Sequence, residues 1–252
     1  MKKEFIKTLN SIDYSRNSYE VFSDFLTLAS ISIANAFYKN PKYEEEYMQT
    51  IGRYKKNREL FPLLLGMIAQ ELERNPFQDL LGDIYMSSEF GNKYAGQFFT
   101  PFHVSEMMAK INLGDIKSLF NEYGYFKIGE PAVGSGGFII AAAKIVKDAG
   151  YNPQRCMYFD ATDIDVKCFE MTYIQTSLLG LCGDVHLGNT LTLEIQRTYE
   201  TPMKFADFWQ SRFALKKYRK LTEKLSSIYT NHNKAEVIPI KQPQECLKLK
   251  II

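Results

Sequence analysis

The feature that most constrains the fold is the run Ile128-Gly129-Glu130-Pro131-Ala132-Val133-Gly134-Ser135-Gly136-Gly137-Phe138. It joins a short β-type run, Tyr125-Phe126-Lys127-Ile128, to a helical pattern from Phe138 to Lys147. Glycines at such a joint let the chain turn tightly and bring backbone N–H groups close to a ligand. The helix that follows adds the positive end of its dipole. The order of residues excludes two phosphate-binding loops. No Gly-Lys-Ser/Thr closes the run, and its spacing is G-x-G-G rather than G-x-G-x-x-G. Glu130, at the carboxyl end of the strand, is placed to accept from a cationic group of a ligand.

The alternation continues beyond the turn. Met157 to Thr162 and Val185-His186-Leu187 have strand character, and Val166 to Leu179 lies between them as a helix. Strands alternating with helices predict βαβ units and a parallel sheet, a Rossmann-like α/β fold. In Ala161-Thr162-Asp163-Ile164-Asp165, Asp163 stands where doubly wound folds grip ribose hydroxyls. Asp165 reads equally as the N-cap of the helix starting at Val166. Asn189, in Gly188-Asn189-Thr190-Leu191 at the end of the third strand, offers a purine edge both a donor and an acceptor.

Residues 1–95 read as a helical module. Val21, Phe22, Phe25, Ala29, Ile33 and Phe37 recur at helical steps until Asn40-Pro41 stops the run. Further helices are expected from about Lys42 to Lys56, from Glu59 to Arg74, and around Leu80, Leu81, Ile84 and Tyr85. Residues 96–200 then form the α/β domain, and 201–252 a basic tail with an extended end containing Pro239 and Pro243. The net charge of +2 conceals that division: from Thr201 onward eleven Lys and Arg face four Asp and Glu, a local +7, which leaves −5 for the first 200 residues. Trp209, Arg212, Lys216, Lys217, Arg219 and Lys220 combine a stacking ring with positive charge, as DNA binding through phosphates first would use. The competing reading packs Trp209 onto the domain. The four cysteines (Cys156, Cys168, Cys182, Cys246) form no C-x-x-C pair and are expected as free thiols rather than as a disulfide framework or zinc site. His103, His186 and His232 are isolated and predict no triad. No run of eighteen apolar residues and no signal-peptide core appears, so no membrane association and a cytoplasmic location are expected.

Gly96-Gln97-Phe98-Phe99-Thr100-Pro101, together with the glycine-rich run, resembles the adenine-specific methylase subunits of type I restriction–modification systems. The resemblance covers roughly residues 60 to 195. It implies S-adenosylmethionine as cofactor, held by Phe98, Thr100, Glu130, Ala132, Gly134, Gly136 and Asp163, with Asn189 at the position of an Asp in the family's Gly-Asp-Thr-Leu element. It also implies DNA as substrate, and a second methylase or specificity subunit as partner. One departure is large. The family's catalytic Asn-Pro-Pro-aromatic loop accepts from the adenine amino group and stacks on the flipped base, and no Pro-Pro occurs in this chain. The segment after Thr190 also lacks the apolar run of a buried fourth strand, so the sheet is expected to be incomplete at its C-terminal end. In this the chain resembles short methylase-like proteins of mobile elements. Two functions follow as expectations: a DNA adenine-N6 methyltransferase completed by a partner, or an inactive cofactor- and DNA-binding module that regulates or opposes restriction.

Overall fold

The computed structural model describes residues 1–88 and 98–232, with side chains through Leu225. Gly96 and Gln97, Cys246 and the tail beyond His232 lie outside the described residues. Met1–Gln210 forms one compact unit, and Ser211 begins a second that is helical as far as it is described.

The first unit opens with five helices: α1 (Lys2–Ile12), α2 (Ser18–Tyr38), α3 (Pro41–Gly52), α4 (Leu60–Arg74) and α5 (Leu80–Ser87). Their starts are set by local chemistry. Asn17 and Asn40 cap α2 and α3 through their side-chain oxygens, and Pro41 occupies the first helical position. By length and composition alone α2 can span a bilayer. In the fold its residues Val21, Phe22, Phe25, Leu26 and Leu28 are instead buried in a core with Phe5, Leu9, Leu64, Ile68 and Tyr85.

The α/β part follows with α6 (Phe102–Leu113), β1 (Phe126–Glu130), α7 (Gly137–Asp148), β2 (Met157–Asp163), α8 (Val166–Leu178), β3 (Cys182–Asn189) and β4 (Glu194–Glu200). The sheet order is β1-β2-β3-β4. The first two pairings are parallel, as the βαβ alternation requires, and the last is antiparallel. Phe126, Ile128, Met157, Phe159, Ala161, Val185, Leu187 and Tyr199 are buried in the core that also holds residues of α7 and α8. The alternate face is polar. Asp160 lies 2.5 Å from Lys127 Nζ and 3.2 Å from His186 Nε2, while His186 Nδ1 is 2.7 Å from Thr198 Oγ1. The His186 hydrogen bond and the Lys127 charge hold the Asp160 carboxyl well below the usual carboxylate range. His186 is thus one member of a cross-strand ladder.

A fourth strand does form after Thr190. It is an edge strand with only Tyr199 buried, and for that reason it shows no apolar run. Beyond it lie a short 3₁₀ turn (Pro202–Phe205) and helix α9 (Asp207–His232).

Candidate functional site

The glycine-rich turn connects β1 to α7, and backbone geometry explains its glycines. Gly134 and Gly136 have φ of +59° and +98°, the left-handed region that side chains disfavour. The turn is tied down on several sides. Val133 N donates to Thr162 O (3.0 Å), Gly134 N donates to Asp163 Oδ2 (2.8 Å), and Thr172 Oγ1 donates to Gly134 O (2.8 Å). Asp163 Oδ1 also accepts from Asp165 N (2.9 Å). Burial raises the Asp163 carboxyl above its ordinary range, while these N–H bonds oppose the rise. With about four lone-pair sites, the carboxylate keeps acceptor capacity for a ligand hydroxyl beside these bonds.

Beside the turn lies a cleft of about 290 Å³ lined by Phe98, Phe99, Thr100, Ser105, Met108, Glu130, Ala132, Gly134, Ser135, Phe138, Asp79 and Asp163, among others. Of the residues expected to hold a cofactor, Phe98, Thr100, Glu130, Ala132, Gly134 and Asp163 meet there. Gly136 does not line it; a Cβ at that position would lie 3.2 Å from Thr172 Oγ1, so this glycine serves the packing of the turn on α8. Asn189 does not line it either. Its side-chain oxygen accepts from Leu191 N (2.9 Å) and Thr192 N (3.4 Å), closing the β3–β4 turn. Asp165 caps α8 through Lys167 N and Cys168 N.

Asp79 and Ser135 are buried residues of the cleft lining, and Gln175 backs them from behind it. Asp79 Oδ1 accepts from Gln175 Nε2 (2.9 Å) and Gly82 N (3.1 Å), and Ser135 Oγ donates to Asp79 Oδ2. Gln175 Nε2 also reaches Ser135 O at 2.8 Å. Burial pushes the Asp79 carboxyl upward. Asp79 and Gln175 belong to no motif, and the one local signal at Asp79 is its place as a helix N-cap. Cys168 lines the cleft too, but burial pushes its thiol up and leaves it a poor nucleophile.

The basic helix needs one correction. Trp209 is fully buried; its indole N–H donates to Gln154 O at 2.9 Å, and its ring packs edge-on against Tyr125. It is not available to stack on a base. Lys217, Arg219 and Lys220 are exposed, whereas Arg212 and Lys216 are half-buried.

Comparison with known proteins adds the following. No curated protein matches the chain. A structure from Listeria monocytogenes assigned as a class I S-adenosylmethionine-dependent methyltransferase aligns at 12% identity and TM-score 0.40, over 73% of this chain and 52% of that one. The methyltransferase subunit of a type I restriction–modification system from Streptococcus thermophilus aligns at 13% identity and TM-score 0.39, over 75% of this chain and 57% of that one. The chain thus spans about half the length of these two structures. The family model for N-6 DNA methylases matches residues 77–224, more than half of the sequence and all of the cleft. The chain belongs to the N-6 DNA methylase family.

Proposed function

We infer that the cleft binds S-adenosylmethionine for an adenine-N6 DNA methylation system, and that this chain by itself holds the cofactor without efficient methyl transfer. One observation carries the reading. Among the described residues the cleft is lined by three acidic side chains, Asp79, Glu130 and Asp163, and by no Lys, Arg or His. Phosphates would be repelled from such a wall, whereas a nucleoside bearing a positive charge fits it. Asp163, at the end of β2, suits ribose hydroxyls, and Gly134 allows the backbone to approach closely. Phe99 packs over the turn: a Cβ at Gly134 would lie 3.3 Å from its ring. When bound, the cofactor supplies an electrophilic methyl group on sulfur.

The protein's share of the chemistry is incomplete on this reading. An adenine amino group is a poor nucleophile because its lone pair is delocalised into the ring. It needs oriented acceptors and a fixed base, and losing one such acceptor commonly costs about a hundredfold or more. The sequence has no Asn-Pro-Pro-aromatic loop, and the Asn189 oxygen is already engaged in a turn. A second methylase or specificity subunit would then supply the missing acceptors. The basic residues Arg212, Lys216, Lys217, Arg219 and Lys220 would add sequence-independent contacts to DNA phosphates.

Calorimetry tests the first half. The purified chain should bind S-adenosylmethionine with Kd of about 1 to 100 μM, and Asp163→Ala should weaken it by about 1.5 to 3 kcal/mol. No heat and no thermal shift at millimolar cofactor refutes the assignment. For the second half, transfer of labelled methyl to unmethylated DNA should be negligible for the chain alone, and robust turnover without a partner refutes it.

A further inference from the structure

The Asp79 carboxyl is 5% exposed, lines the cleft, and among the described residues has only uncharged donors for partners: Ser135 Oγ, Gln175 Nε2 and Gly82 N. Burial of this carboxyl with no cation beside it favours its protonated form, and a cation arriving in the cleft would favour the ionised one. The backbone is shaped to admit it. A Cβ on Gly82 would lie 2.2 Å from Asp79 Oδ2, and one on Gly137 3.2 Å from the same oxygen. Two glycines, one on α5 and one at the start of α7, therefore make room for a single carboxylate oxygen. Gln175 holds that group in register from the other side, accepting from Leu81 N at 2.9 Å while donating to both Asp79 Oδ1 and Ser135 O. The carboxyl is thus fixed against the turn that forms the cleft wall, and a ligand can bring the cation that the described residues do not supply.

We propose that Asp79 is the specificity residue by which the cleft prefers the positively charged sulfonium of S-adenosylmethionine to the neutral thioether S-adenosylhomocysteine. The inference rests on the cofactor reading above. Its functional consequence is release of the spent cofactor: transfer of the methyl group removes the positive charge, and with it the attraction to Asp79.

Asp79→Asn tests this, because an amide keeps the shape. Its oxygen still accepts from Gly82 N and Gln175 Nε2, and its nitrogen donates to Ser135 Oγ. Calorimetry on the full chain should find the sulfonium form bound at least about tenfold more tightly than the thioether by wild type, a difference of about 1.4 kcal/mol. In the variant that ratio should fall to near unity, with thioether affinity retained. An unchanged ratio, or equal weakening of both ligands, overturns the proposal. Should the variant fail to fold, wild type still decides the matter with an analogue carrying a protonated amine in place of the sulfonium. Binding of that analogue no tighter than the thioether overturns the proposal, and tighter binding supports it. If wild type binds none of the three ligands, the cofactor reading itself has failed.

Discussion

Glu170 offers the sharpest test of the packing. It is 1% exposed on α8, and Thr27 Oγ1 donates to its Oε1 at 2.8 Å. Burial pushes its carboxyl from 4.5 up to about 8; Glu46 adds to the rise, while Arg197 and Lys167 oppose it. The folded chain therefore holds a proton on Glu170 that the unfolded chain releases near pH 4.5, so the stability this group contributes is complete at low pH and is lost as pH rises through about 8. At 1.36 kcal/mol per decade, that window amounts to at most about 5 kcal/mol. Water entry on ionisation returns part of it. Glu170→Gln keeps an acceptor for Thr27 but never ionises. Its extra N–H group adds an offset of about 1 kcal/mol that does not vary with pH. Relative to wild type, the Tm of the variant should therefore climb steadily from pH 5 to pH 8, by about 10 °C for a chain of this size. Scanning calorimetry in half-unit steps measures the slope. Parallel curves for the two proteins would refute the reasoning, because they would mean that Glu170 ionises alike in the folded and unfolded states.

Gly134→Ala places a side chain at φ +59° and against the Phe99 ring; the strain of about 1 to 2 kcal/mol should lower Tm and weaken cofactor binding, and a variant equal to wild type in both would show that the turn tolerates a Cβ. Trp209→Ala empties a fully buried site and loses the bond to Gln154 O; it should cost about 3 to 5 kcal/mol in denaturant unfolding, and wild-type stability would contradict the observed burial. Replacing Lys216, Lys217, Arg219 and Lys220 together by Gln should flatten the salt dependence of DNA binding by about 3 to 4 in log–log slope. An unchanged slope would make the helix a solvated surface.

The strands and helices around the glycine turn were legible because β1, β2, α7 and α8 each bury one face of a regular pattern. Helix α6 was not. Its buried positions are Ser105, Ala109 and Leu113, while Met107, Met108 and Ile111 face outward, so its apolar periodicity points away from the core. Strand β4 was hidden by its exposure. Asp79 was hidden for another reason: it lies about fifty residues before the turn it supports, and only the tertiary fold brings the two together. Trp209 had two readings in the sequence, and the polar partner at Gln154 with the aromatic neighbours Tyr125 and Tyr158 selects the packed one. Asn189 was placed at the right strand end, but its oxygen satisfies its own backbone.

Helix α8 is buried almost all round. Phe169 and Tyr173 belong to the core under the sheet, and Met171 and Ile174 to the core of the N-terminal helices. A helix polar on one side can lose one neighbour and keep its structure; α8 cannot, because either loss exposes a full apolar face. The two cores should therefore open together rather than in sequence, with amides of α2 and of β2 exchanging hydrogen through the same global event. For the cleft, the result is that a ligand held at Asp163 lends its binding free energy to helices as distant in sequence as α1.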